Sequence, residues 1–153
     1  MGTTFIGRSG KLLRETMIKL GLDDMTGYIN VARCHPKDNK LPKRCARICA
    51  QFLYDDLMRL DVKVIIALGV TAAKAVMAPD SLPPDWAGAA YEVYSDLKKS
   101  VLVLAYHPAY ILRRPALKPG WIECLRYAGG LVSQEVGCGE KGLVASSIAE
   151  GAN

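Results

Sequence analysis

Residues 62–77 read VKVIIALGVTAAKAVM. Lys63 to Leu68 is an apolar run rich in β-branched residues and without polar alternation, as expected of a strand covered on both faces. Gly69 ends the run, Thr71 is a plausible helix cap, and Ala72 to Met77 favours helix. A strand buried on both sides, a glycine turn and an immediate helix form one unit of a layered α/β domain.

Working outward, the same alternation recurs. Lys11 to Leu20 places Leu13, Met17 and Leu20 on one helical face, closed by Gly21. Tyr28 to Val31 reads as a short strand. Arg33 to Lys43 is a basic loop whose Pro36 and Pro42 forbid helix. From Arg44 to Leu60 the face formed by Cys45, Ile48, Cys49 and Phe52, continued by Leu53, Leu57 and Leu60, predicts a long core-facing helix. Ala78 to Gly88 is a proline- and glycine-rich loop, Val101 to Ala105 is a second buried strand, and Trp121 to Val132 reads as the last helix. The expected fold is therefore three-layer α/β/α with a small parallel sheet. Residues 1–132 form the domain, and 133–153, poor in large apolar groups, form a flexible tail.

Composition narrows the partners. The 153 residues carry a net charge of +5, and the tail, with Glu135, Glu140, Glu150 and Lys141, contributes −2 of it. The body is correspondingly more basic, which suits a polyanion, nucleic acid before membrane. No apolar run is long enough to span a bilayer, and the N-terminus lacks a leader pattern, so a cytoplasmic protein is expected. Five cysteines without a secretory signal argue against a disulfide framework. No glycine-rich phosphate fingerprint is present, which disfavours a small-molecule nucleotide domain.

In a parallel sheet ligands sit beyond the carboxyl ends of the strands. Asn30 to Cys34, Leu68 to Thr71 and Tyr106 to Arg114 fall there. The sharpest of these is AYHPAYILRR, Ala105 to Arg114. A histidine directly after a buried strand, stopped by proline, aims an imidazole at the crevice. Tyr110, Ile111 and Leu112 are expected to be exposed, as groups that wedge into a base stack are, with Arg113 and Arg114 within reach of phosphates.

Those residues resemble a known family. HPAYILR is similar to the histidine-proline motif of uracil-DNA glycosylases in their iron–sulfur branch. Phe5 to Leu13 (FIGRSGKLL), Tyr28 to Cys34 (YINVARC, with Pro36 and Asn39 after it) and Val62 to Ala73 resemble three further segments of that branch, in the same order. The resemblance implies a DNA-repair hydrolase that flips uracil from the duplex and cleaves its glycosidic bond. It implies that Phe5 stacks on the flipped base and that Asn30 reads its edge, one carboxamide offering both a donor and an acceptor. His107 would stabilise negative charge growing on the base carbonyl. Ile111 and Leu112 would fill the vacated gap, and Arg8, Arg113 and Arg114 would hold the backbone.

Two departures are expected to matter. The family opens with a central strand running into a water-handling motif, and only four residues precede Phe5 here, none a carboxylate. Excision is then expected to be slow, and the open sheet to be covered by a protein partner, a second copy or a rearranged sheet. The alternative is a non-catalytic DNA-binding accessory subunit of replication or repair. Of the family's four cysteine ligands only Cys34 and Cys49 have counterparts. An iron–sulfur cluster would then need Cys45 with Cys124 or Cys138, and the favoured reading is instead that Cys45 and Cys49 are core residues on an apolar stripe. No bound cofactor is the expectation.

Overall fold

A computed structural model describes residues 5–33, 37–40, 42–77, 82, 86, 90–92, 100–135 and 143–147. The elements are α1 (Arg8–Lys19), β1 (Thr26–Asn30), α2 (Lys43–Leu60), β2 (Val64–Leu68), α3 (Val70–Val76), β3 (Ala90–Glu92), β4 (Val101–Ala105), α4 (Pro108–Arg113), α5 (Lys118–Glu135) and β5 (Leu143–Ser147). The sheet order is β1-β5-β2-β4-β3. The first four of these strands run parallel, and β3 closes the edge antiparallel to β4.

Strand β2 is buried along its whole length, so its alternate residues feed two cores. Val64, Ile66 and Leu68 join Val103, Ala105, Leu13 and Met17 of α1, Ile111 of α4 and Trp121, Leu125 and Ala128 of α5. Ile65 and Ala67 face the other way, with Leu102 and Leu104, onto Leu53 and Leu57 of α2 and Ala72 and Ala73 of α3. A period of two splits one apolar strand between two helical layers. The expected α/β/α sandwich is the result.

Several boundaries differ from those expected. α1 starts at Arg8, one turn before Lys11, and Gly69 rather than Thr71 takes the N-cap position of α3. On α2 the buried stripe is Cys49, Leu53 and Leu57, each one turn apart, while Ile48, Phe52 and Leu60 stand about half exposed. Tyr54 and Met58 flank that row, partly buried against the same core.

The tail is the largest correction. α5 continues through Glu135, and Leu143–Ser147 enters the sheet as the strand between β1 and β2. β5 pairs with β1 from Thr26↔Leu143 to Asn30↔Ser147, and with β2 from Val64↔Leu143 to Ala67↔Ser146. Of the covers expected for the open sheet, the one seen is a rearranged sheet, with residues of this chain between β1 and β2. Short apolar-to-small segments carry little periodic signal, yet backbone hydrogen bonds on both sides of a strand hold it whatever its side chains.

Candidate functional site

Because β1, β5, β2 and β4 are parallel, their carboxyl ends share one edge. β1 ends at Asn30, β2 runs into Gly69, and β4 leads through Tyr106 to His107. Asn30, Gly69 and His107 therefore lie along one edge of the sheet.

His107 is the N-cap of α4. Its Nδ1 accepts a hydrogen bond from the Ala109 backbone N–H at 3.1 Å, and Pro108 takes the first helical position, where a missing N–H costs nothing. A neutral imidazole that accepts at Nδ1 carries its proton on Nε2, so Nε2 is the donor nitrogen. The backbone beneath is fixed from two sides. Trp121 Nε1 donates to the Tyr106 carbonyl at 3.0 Å, and Gly69 N–H donates to the Ala105 carbonyl at 2.9 Å. Gly69 has φ +91°, and a Cβ built there would stand 3.3 Å from His107 Cβ. The glycine thus lets the β2–α3 turn pass close behind the imidazole.

Phe5 sits at φ 62°, a left-handed conformation seldom adopted by a bulky residue. Its ring meets Tyr28 edge-on, with centroids 5.6 Å apart. Gly10 makes this possible, since a Cβ on Gly10 would lie 2.0 Å from the Phe5 carbonyl oxygen. Gly10→Ala is therefore expected to displace Phe5 and to cost about 1–3 kcal/mol, the usual range for overpacking. Urea denaturation measures the cost, and loss of the Phe5–Tyr28 ring contact in NMR spectra reports the displacement.

Tyr28 is itself locked. Its hydroxyl donates to Asp23 Oδ1 at 2.6 Å, and the Arg14 guanidinium lies 3.9 Å from its ring centroid. Burial first, then the bond to Asp23, hold the phenol above its ordinary pKa, so it remains a neutral donor. Asn30 lies two residues further along β1, hence on the same face as Tyr28. Its side chain is half-buried and makes no hydrogen bond among the described residues.

α4 corrects one expectation. Ile111 is only 1% exposed and belongs to the core, whereas Leu112 is 46% exposed. Successive residues of a helix point about 100° apart, so an amphipathic turn cannot present both. Tyr110 is half-buried, stacked near Tyr106 with centroids 5.0 Å apart. Arg8, Arg113 and Arg114 are all exposed, and α1, which Arg8 begins, packs against α4. Sequence reasoning did not find Gly10, Gly69, Tyr28 or Trp121 as supports of this site. For Gly69 a signal existed, since it sits at the junction of β2 and α3, whereas Gly10 lies in the first turn of α1, and the imidazole for which Gly69 makes room lies far along the chain.

With this rim in view, likeness to known proteins decides the family. A sequence profile described as the uracil DNA glycosylase superfamily matches residues 1–127. The chain belongs to the uracil-DNA glycosylase superfamily. It is 32% identical over 145 residues to a Type-4 uracil-DNA glycosylase of Pyrobaculum aerophilum, a match covering 85% of this chain and 70% of the relative. To the Type-4 uracil-DNA glycosylase of Archaeoglobus fulgidus it is 32% identical over 146 residues, covering 92% and 70%. To that of Thermotoga maritima it is 31% identical over 122 residues, covering 73% and 58%. Within the superfamily its likeness is to the type-4 branch, in agreement with the motif resemblance.

The iron–sulfur cluster implied for that branch finds a poor fit among the described residues. No three His, Cys, Asp or Glu side chains converge there as a metal site. Cys34 and Cys138 lie outside the described residues. Cys45 and Cys49 share α2, with Cys49 buried. Cys124 packs in the core on the opposite face of the sheet from α2, its thiol directed at the Leu104 carbonyl 3.5 Å away, and burial pushes its pKa up to about 11. A protonated thiol across the sheet is not a partner for Cys49. A groove of about 520 Å³ along Lys43, Arg44, Arg47, Ile48 and Gln51 of α2 contains none of the rim residues. Among the described residues no helix is long and apolar enough to cross a membrane.

Proposed function

We propose that this protein binds DNA, rotates uracil or a closely related base out of the stack and hydrolyses its glycosidic bond in base-excision repair. The observation that carries this reading is the His107 cap: Nδ1 accepts a backbone N–H, which puts the proton of the neutral ring on Nε2, at the sheet edge where β1 ends in Asn30. Phe5 stacks on the base, braced by Tyr28, and the Asn30 carboxamide pairs with its polar edge. As the bond to the sugar breaks, its electron pair moves onto the base, and His107 donates a hydrogen bond to the carbonyl where that charge collects. Water adds to the sugar carbon and gives up a proton, and the departing base anion takes one up, so that free base and an abasic sugar result. Leu112 enters the gap in the stack, Ile111 anchors α4 beneath it, and Arg8, Arg113 and Arg114 contact flanking phosphates. No step is routed through a cluster, and the working compartment is the cytoplasm.

The direct test is incubation with an oligonucleotide containing one uracil, followed by alkali. Cleavage at that position is expected. A strand still intact after prolonged incubation with excess protein rejects excision. Binding has its own test, because phosphate contacts release counterions. Arg113→Ala combined with Arg114→Ala is expected to weaken DNA binding evenly across sequences. It should also lower the slope of log affinity against log salt by about 2, one per lost phosphate contact.

A further inference from the structure

Asn30 ends β1 and His107 follows β4, two strands that do not pair with each other. β1 pairs with β5 alone, β5 with β2, and β2 with β4. Among the described residues no other strand joins β1 to the sheet. Within the sheet, the position of Asn30 relative to His107 is therefore transmitted through residues 143–147, which follow all the elements of the rim in the chain.

We infer that the C-terminal strand Leu143–Ser147 is the positioning element of the base site, the piece whose insertion sets the separation between Asn30 and His107. With β5 in place, β1 and β4 are three strand intervals apart, about 14 Å at the usual interstrand spacing. Side chains reaching inward from both ends of such a span leave room for one flat base. With β5 withdrawn, β1 and β2 face each other across about 10 Å, too far for backbone hydrogen bonds. β1 then either detaches or closes onto β2, which carries Asn30 about 5 Å toward His107. The base fits neither arrangement. The register adds a second point: Asn30 stands opposite Ser147, the last residue of β5, so a slip by one residue would also shift the end of β1 along the rim.

This inference rests on the base-site reading above, and its test keeps the two apart. In the full-length chain, Ala145→Pro removes a backbone N–H from the middle of β5, opposite Tyr28 and Ile66, while Ala145→Val keeps it. Hydrogen exchange followed by mass spectrometry should show the amides of Thr26–Asn30 exchanging at least tenfold faster in Ala145→Pro. Those of Val101–Ala105 should keep their protection, and Ala145→Val should resemble the parent. The same Ala145→Pro protein should bind free uracil at least tenfold more weakly, whereas its affinity for undamaged DNA, held by the arginines of α4, should change little.

The parent protein provides a control that needs no variant. Its Leu143–Ser147 amides should be protected together with those of β1, and random-coil exchange there beside a protected β1 overturns the inference. So does unchanged uracil binding in an Ala145→Pro protein whose β1 amides have opened. A parent that binds no uracil but shows coupled protection of β1 and β5 refutes the base-site reading and leaves the strand's structural role standing.

Discussion

His107→Ala lowers the rate of uracil excision by about 10²–10³, the loss that follows removal of one preorganised donor to a developing negative charge, and leaves DNA affinity nearly unchanged. The size of the effect follows from how the ring is held. Its Nδ1 is engaged by Ala109 N–H, its carbonyl accepts from Tyr110 N–H at 2.9 Å, and Trp121 fixes the preceding carbonyl. The donor therefore needs no reorganisation when charge appears on the base. Part of any loss could come instead from the helix cap, whose removal costs about 0.5–2 kcal/mol. His107→Asn separates the two. Asparagine can cap α4, so thermal stability should return toward the parent, but it cannot extend a donor to the same place, so the rate should stay low. Single-turnover kinetics on a uracil oligonucleotide, with a melting curve for each variant, give the answer. Equal rates for parent and both variants would remove His107 from the chemistry. A parent that never excises, and whose DNA affinity ignores His107, is the signature of the accessory-subunit alternative.

Ile111→Ala is expected to destabilise the fold by about 2–5 kcal/mol, the range for truncating a fully buried aliphatic side chain. Leu112→Ala, one residue on, should change stability by less than about 1 kcal/mol. Ile111 is 1% exposed and packs among the core residues of α1, α5, β2 and β4, while Leu112 is 46% exposed. Their functional effects should be reversed. A wedge acts only where a base stack must be opened, so Leu112→Ala should slow excision from duplex DNA far more than from a single strand. Urea unfolding and a comparison of the two substrates suffice to check this. A Leu112→Ala protein equally impaired on both substrates would show that the side chain is not a wedge.

Much of the candidate site is legible in the amino-acid sequence. The histidine after the buried strand, the arginines behind it and Asn30 at the end of β1 all follow from where strands stop, and strands stop at proline, glycine and polar residues that can be read in place. The exposure of Ile111 and Leu112 is not legible, because in the six residues of α4 both are large, apolar and adjacent. Which of them faces inward depends on α1 and α5, elements from opposite ends of the domain. Phe5 is legible as an aromatic, but not the left-handed turn that presents it, since that depends on an absent Cβ at Gly10.

The amino-acid sequence alone determined the layered α/β class, the buried strands β2 and β4, the long helices α2 and α5 and the histidine rim. Each is written in hydrophobic period and turn chemistry, which act over a few neighbouring residues. Tertiary structure alone decided the strand between β1 and β2. Leu143–Ser147 has no pattern that distinguishes it from a flexible tail, and it becomes a strand because β1 and β2 present unpaired backbone groups on either side of it. A ladder formed between residues so distant in the chain is stabilised by its partners rather than by its own composition, and that stabilisation exists only once the rest of the sheet has formed.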